Sequence, residues 1–455
     1  MNRTMGLAGK FLFLLLTAAF FFSPFRILAQ KSNTDTVETL TLGQCVEYAV
    51  KNQPLLQQSL INIDIARSTN KINLSGWLPQ AYVTATAAHY LTLPTSFISD
   101  SAGKLVSEQT GVVNSFIPEL NISQAIFSPS LLYAAKSAPL YIKQAQQQKD
   151  STYIYVVANV SKSFYNLLAT LEQVRVLKED TARLVKNLND TYHQYVAGIV
   201  DQTDYDEAAI TLNNSNAQLR QAVENIVPAY ATLKQIMGYP PEKQFNVLFD
   251  TLQMQRDIVF DTTQELQYTK RIEYQQLQTG KLLQNQVTDF YRKSFLPTVS
   301  GVFNYIPVFE SNSAATLLSN TYPYSYVGLN LSLPLFTGFA RLENIHKSKL
   351  QERLLDWDEV SLKSQINVDY TTSLANYKGN LYNFQIMKDN EVRAKRVYDI
   401  VSLQYLQGIV PYLNVITAES NLISSEIGYV NALFQLLSSK IDLEKAMGII
   451  SFNNP

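Results

Sequence analysis

Residues 74–238 of this chain are written a second time about 210 residues further on, and that duplication limits what the chain can fold into. Tyr195-Val196-Ala197-Gly198-Ile199-Val200 returns as Tyr405-Leu406-Gln407-Gly408-Ile409-Val410. Met237-Gly238 returns as Met447-Gly448. Upstream, Trp77-Leu78-Pro79 returns as Phe295-Leu296-Pro297. Leu120-Asn121-Ile122-Ser123, leading to Phe127, returns as Leu329-Asn330-Leu331-Ser332, leading to Phe336. A repeat of this length describes a structural unit used twice, which is a poor description of an enzyme site.

Each copy changes its hydrophobic period along its length. Tyr82, Thr84 and Thr86 alternate with Ala81, Val83 and Ala85, and Leu120 and Ile122 alternate with Asn121 and Ser123, which is strand patterning. Residues 92–114 between them, rich in Gly, Ser and Asp, read as an exposed loop. The second copy repeats this with Val299, Phe303 and Tyr305, a loop over about 306–322, and Val327, Leu329, Leu331, Leu333 and Leu335. Tyr322, Tyr324 and Tyr326 cluster at the start of the last strand, as interfacial aromatics do at a membrane boundary. The alternation by itself fits a soluble hairpin with one buried face equally well.

Long helices follow. Gly and Pro number only 16 each, and residues 340–407 contain no proline and a single glycine, Gly379. Such a helix is about 100 Å long. Its counterpart spans about 131–196, with Pro139 predicting a kink in its first turns. Turns at Gly198 and Gly408 lead into second helices, the first opened by a capping-box pattern over Thr203 to Asp206. Apolar residues then step by threes and fours in both copies, and both skip one place, occupied by Ser215 and Ser425. Ahead of the first hairpin, a helix capped by Thr41 runs to about Gly76 and restarts or kinks at Pro54. Each copy thus has one helix of roughly 65 residues and two of roughly 35. The two shorter ones, stacked end to end, match the longer one and give a pair of rods with a hairpin at one end.

The chain divides into an N-terminal secretory signal (1–29), a first repeat (30–238, hairpin 79–127), a connecting segment (239–263), a second repeat (264–448, hairpin 297–336) and a short tail (449–455). The signal rests on Arg3, Lys10 and an apolar run over 11–22. Past it, no stretch approaches the ~20 apolar residues of a spanning helix, so membrane insertion would have to use strands. Only 16% of residues are charged, the net charge is −1, and 27 tyrosines are present, so no nucleic-acid partner is indicated. Cys45 is the single cysteine and reads as a small apolar helix residue. His89, His193 and His346 lack metal-ligand spacing, and no phosphate loop or nucleophile elbow is present, so neither cofactor nor catalysis is expected.

Four strands cannot close a membrane barrel, and an open edge is not tolerated in lipid, so spanning hairpins require several chains around one barrel. At this point the chain resembles the TolC-like outer membrane efflux proteins. The residues that carry the resemblance are Leu40-Thr41-Leu42-Gly43-Gln44 with Asn52-Gln53-Pro54, both Leu-Pro approaches to the hairpins, the strand exits at Phe127 and Phe336, and both glycine turns. It covers nearly the whole chain after residue 29. It implies a mainly α fold with a membrane β-barrel: a homotrimer with a 12-stranded barrel in outer membrane lipid and an α-helical periplasmic tunnel. It also implies a periplasmic adaptor (membrane fusion) protein and an inner-membrane transporter as partners in efflux or type I secretion. Matched to the family's closed tip, Tyr405 stands at its tyrosine, Val410 at an arginine, and Asn414 and Thr417 at an aspartate pair. Asp204 matches an aspartate position, with Asp201, Asp206 and Glu207 adding acid nearby. Those acids read either as a cation-attracting ring at the periplasmic mouth or as favourable helix N-terminal charges. A passive uptake pore and a periplasmic coiled-coil scaffold or adaptor are the competing readings. The pore leaves the long rods unexplained, and an adaptor would carry a further β-domain between its helices.

Overall fold

The computed structural model describes residues 38–99, 103–248, 258, 260–261 and 264–450; the signal reading falls outside these residues. In chain order the elements are β1 (Glu38–Leu40), α1 (Leu42–Asn52), α2 (Pro54–Leu74), β2 (Gln80–His89), β3 (Thr95–Ser99), β4 (Leu105–Gln109), β5 (Asn114–Phe127), α3 (Pro129–Val196), α4 (Gln202–Glu224) and α5 (Ile226–Met237). They continue as β6 (Phe245–Val247), α6 (Ile272–Lys293), β7 (Thr298–Ser311), β8 (Tyr322–Ser332), α7 (Ala340–Leu406) and α8 (Tyr412–Met447).

One lateral order runs through the whole molecule. The main sheet is antiparallel in the order β2-β5-β7-β8. Next to it, α2 packs on α3, α3 on α6 and α6 on α7. Toward the far end α4 packs on α3, α3 on α8 and α8 on α7. Each strand is continuous with the helix beneath it, so the elements of the first copy and those of the second lie side by side in one wall.

The predicted end-to-end stacking is present, and the repeated Met-Gly pair makes it. Gly238 and Gly448 end α5 and α8 at φ 68° and φ 69°. A Cβ on Gly448 would lie 2.7 Å from Lys270 O, one residue before the Arg271 cap of α6. A Cβ on Gly238 would lie 2.8 Å from Asn52 O, at the junction of α1 and α2. Gln53 Nε2 donates to Ile236 O (2.7 Å), and Arg271 Nη1 donates to Ala446 O (2.8 Å). Side chains thereby satisfy carbonyls that a helix C-terminus leaves open. Around this level lies the main apolar core, containing Cys45, Phe164, Leu167, Leu233, Leu436 and Leu443. Burial pushes the Cys45 thiol up to about 12, in keeping with a packing role.

Part of the connecting segment is built into this core. β6 pairs in parallel with β1, Phe245 meets Tyr230 and Tyr239 edge to face, and Ile258 O accepts from the Tyr377 hydroxyl (2.7 Å). Thr41 is the N-cap as expected, forming a capping box with Gln44, and the helix stops at Asn52 and restarts at Pro54.

Several boundaries differ from expectation. Residues 92–114 are not wholly loop, because β3 and β4 pair as a second small hairpin. β5 begins at Asn114 and β7 runs on to Ser311, where cross-strand backbone bonding extends the ladder past the clear alternation. α3 passes through Pro139 as one helix. The second helix of copy one divides at Asn225 into α4 and α5, just before Pro228, whose missing N–H removes a helical bond. The Thr203–Asp206 capping box is not used. α4 starts at Gln202 from Asp201 without a side-chain cap bond, the reversal being fixed already by the glycine turn.

Gly448→Ala combines a left-handed backbone with a 2.7 Å clash against backbone, and should destabilise the chain by about 2 kcal/mol or more. Gly198→Ala, with open space around it, should cost about 1 kcal/mol. Thermal melting of the purified protein compares the two.

Candidate functional site

The sheet separates two chemistries face by face. Val83, Leu120, Tyr305 and Ser325 form one row across the four strands, and Ala81, Ile122, Phe303 and Val327 form the next. The alternate face carries Tyr82, Asn121, Asn304 and Tyr326 in register. Asn304 Nδ2 donates to the Tyr326 hydroxyl. One face is thus apolar and the other polar, as a wall between lipid and water requires. The register corrects one expectation. Tyr322, Tyr324 and Tyr326 share the parity of Asn304 and lie on the polar side. The aromatics of the apolar face are Phe303, Tyr305 and the pair Phe116–Phe309, whose ring centroids are 6.0 Å apart. Alternation reveals that two faces exist but not which one a cluster joins.

At the opposite end, two identical turns reverse the chain. Ile199 N donates to Gln194 O (2.8 Å), and Ile409 N donates to Gln404 O (2.9 Å). Gly198 and Gly408 both sit at φ 71°, the left-handed position of this helix ending. The sequence-predicted tip residues fall into three groups. Tyr405 is buried; its hydroxyl donates to Gln194 Oε1 and lies 3.4 Å from Thr191 Oγ1, joining α7 to α3. Val410 packs against the apolar tip cluster of Ala208, Tyr398, Tyr405, Tyr412 and Val415. Asn414 and Thr417 lie on an exposed face of α8, turned away from Val415, Ala418 and Leu422.

The acids sit on α4. Asp201 and Asp206 are exposed, while Asp204 and Glu207 are half-buried one turn apart. Burial pushes the Tyr405 hydroxyl up, and the nearby charges of Asp204 and Asp190 add to it. Asp204 and Tyr405, one from each copy, therefore lie within electrostatic reach of each other. The position of Asn414 and Thr417 leaves them apart from that pair.

Sequence reasoning missed a buried ionic cluster above the tip. Arg183 on α3 donates from Nε to Glu419 Oε1 (2.8 Å) and from Nη2 to Glu426 Oε2 (3.2 Å), both on α8. Asp180 Oδ1 lies 3.5 Å from Arg183 Nη2, and Asp180 Oδ2 accepts from Ser215 of α4 (2.6 Å). Arg183 also lies over the Tyr398 ring of α7 at 5.9 Å. Burial lowers the guanidinium, but Glu419, Glu426 and Asp180 outweigh it and the net shift is upward. A signal for the cluster was present: Glu419 and Glu426 stand seven residues apart on the packing stripe of α8, and Ser215 fills the skipped place on α4. The described residues hold no group of three metal-ligating side chains and no helix apolar enough to cross a membrane.

With this geometry in hand, comparison with known proteins is informative. A family model described as outer membrane efflux protein matches residues 46–239 and 284–449, one segment per copy. The chain is 20% identical over 419 residues to the outer membrane protein TolC of Vibrio cholerae, covering 90% of this chain and 91% of that one. It is 19% identical over 412 residues to the probable efflux pump outer membrane protein TtgC of Pseudomonas putida, covering 90% and 82%. Among solved structures it is similar to CusC (TM-score 0.73, 13% identity, 89% and 91% covered). It is likewise similar to the CmeC outer membrane channel of Campylobacter jejuni (TM-score 0.70, 19% identity, 90% and 85% covered).

Arg183→Met strands Glu419 and Glu426 in the helix seam. The expected loss is about 3 kcal/mol, against under 1 kcal/mol for breaking the exposed Arg220–Glu224 pair. Denaturant titration of the two variants measures the contrast.

Proposed function

From the premise that this chain belongs to the outer membrane efflux protein family, we propose how its geometry moves solute. The protein is an outer membrane channel of a tripartite efflux system, with its sheet in the membrane and its helices extending through the periplasm. The single observation that carries the reading is the four-stranded sheet, two-faced in chemistry and open at both β2 and β8. Neither edge can remain unpaired in hydrocarbon. Three chains, each contributing four strands, close one barrel of twelve, β8 of one against β2 of the next. Because strand order and helix order agree, the same closure makes a ring of helices beneath the barrel.

The duct is passive. A periplasmic adaptor and an inner-membrane transporter supply the energy and load the solute, and the polar sheet face lets it pass in water. The tip is the gate: Tyr405 holds α7 to α3, Val410 supplies apolar packing where the family's studied members have an arginine, and Asn414 and Thr417 stand without charge. Negative charge at the mouth comes from Asp201, Asp204, Asp206 and Glu207 of the first copy. These select cations by attraction in a narrow passage.

Single-channel recording in planar bilayers tests this. Divalent cations added on the tip side should block the wild-type channel, and Asp204→Asn with Glu207→Gln should weaken that block about tenfold, since two charges per chain are removed. Unchanged block would assign those acids to helix-terminal stabilisation alone. In cells, deletion of the gene should lower resistance to exported toxic solutes while leaving nutrient uptake intact; the reverse pattern would favour an uptake pore.

A further inference from the structure

We propose that Glu419 and Asp180 share one buried proton, and that its loss loosens the seam between α3 and α8, so that the closed duct opens more readily as pH rises. This rests on the channel reading and adds a regulatory device to it.

Glu419 is 2% exposed, and its Oε1 accepts from Arg183 Nε (2.8 Å). Its Oε2 is buried and has no hydrogen-bond partner if the group is a carboxylate. A buried acceptor of that kind costs more than a lost bond. The groups facing Glu419 are Asp180, itself 3% exposed and already accepting from Ser215, and the Tyr398 hydroxyl. Two carboxylates cannot satisfy each other, whereas a carboxylic acid and a carboxylate can, so a proton on Glu419 Oε2 removes the deficit.

Charge counting agrees. The charged groups acting directly on Glu419 and Glu426 are acidic except Arg183, while Lys186 lines the cavity beside Arg183 and Tyr398 and Arg175 pairs with Glu179. From α3 come Glu179, Asp180 and Arg183; from α4, the Ser215 hydroxyl; from α7, Glu391 and Tyr398; from α8, Glu426 and Tyr412. A single guanidinium stands against the carboxyls of Asp180, Glu419 and Glu426, so with all three ionised the buried seam carries net negative charge. Keeping a proton on one of them is the least costly arrangement.

Burial, with Asp180 adding to it and Arg183 opposing, pushes the Glu419 carboxyl from the usual 4.5 up to about 7. In the packed seam the proton is therefore retained through mildly acidic pH, while a solvent-exposed Glu419 would have lost it. The packed state is favoured most at low pH, loses that advantage between 4.5 and about 7, and gains nothing further above. The location gives this mechanical meaning. The cluster ties α3, with its partner α4, to α8, with its partner α7, close to the tip where the same pairs meet through Tyr405. Ionisation places two facing carboxylates across that seam.

The test compares the wild-type channel with Glu419→Gln and Asp180→Asn in planar bilayers at pH 5 and pH 8. Gln keeps an acceptor for Arg183 and supplies a permanent N–H toward Asp180, so it imitates the protonated acid. Wild-type conductance should rise several-fold from pH 5 to pH 8, and Glu419→Gln should stay at the wild-type pH 5 level at both. Asp180→Asn gives Glu419 a donor, releases its proton at lower pH, and should shift the rise downward. A Glu419→Gln channel with the wild-type pH profile would overturn the proposal. Infrared difference spectra between the same pH values provide an independent readout: the wild type should lose a protonated-carboxyl band that Glu419→Gln lacks. Absence of that band in the wild type would equally overturn the shared proton. A protein that conducts at neither pH would refute the channel reading, and the infrared result would still decide the proton.

Discussion

An unpaired backbone in hydrocarbon is the constraint on which this molecule is organised. β2 and β8 each pair on one side only, and the rows from Val83 and Ala81 across to Ser325 and Val327 present an apolar surface to lipid. A protein that places such a sheet in a membrane must find partners for both edges, and we propose further copies of itself in that role. The fold makes that solution consistent from end to end. The lateral order of the strands is inherited by α2, α3, α6 and α7, and then by α4, α3, α8 and α7. Closing the sheet therefore closes the helices.

The helices need their own continuity, because a hollow wall about 100 Å tall has no globular core to lean on. α3 and α7 supply it covalently. The other two columns are interrupted, α2 meeting α5 and α4 in one and α6 meeting α8 in the other, and their joints are sealed by Gly238 and Gly448, where backbone approaches backbone too closely for any side chain. Gln53 and Arg271 then satisfy the carbonyls at those joints. β1, β6, Ile258 and Phe260 thicken the wall at the same level, so the joints of the columns lie within the main apolar core.

What the sequence made legible follows from the kind of information each feature carries. Repeats and periods are local, so the long helices, the hairpins, both glycine turns, the Thr41 cap and the restart at Pro54 could be read directly. Facing and partnership are not local. The tyrosines of β8 showed alternation but not that they join Asn304 on the polar side. β3 and β4 lack strong alternation because neither side chain face is buried, and only their mutual pairing defines them. The tip residues were placed by resemblance; of these, Tyr405 and Asp204 lie within electrostatic reach of each other, while Asn414 and Thr417 are exposed. The Arg183 cluster escaped because Arg183 is separated from Glu419 and Glu426 by more than 200 residues and each looks ordinary on its own helix. The skipped place at Ser215 was its trace: a position where the apolar stripe gives way because a buried carboxylate needs a hydroxyl.

The central claim is that one chain cannot shield its own sheet and that three enclose a common bore. The mass and shape of the detergent-extracted particle test it most directly, by sedimentation together with small-angle scattering. The account predicts three chains in an elongated particle whose long dimension exceeds a single ~100 Å helix. A compact single chain, with its rods folded on one another and no hollow axis, would contradict it.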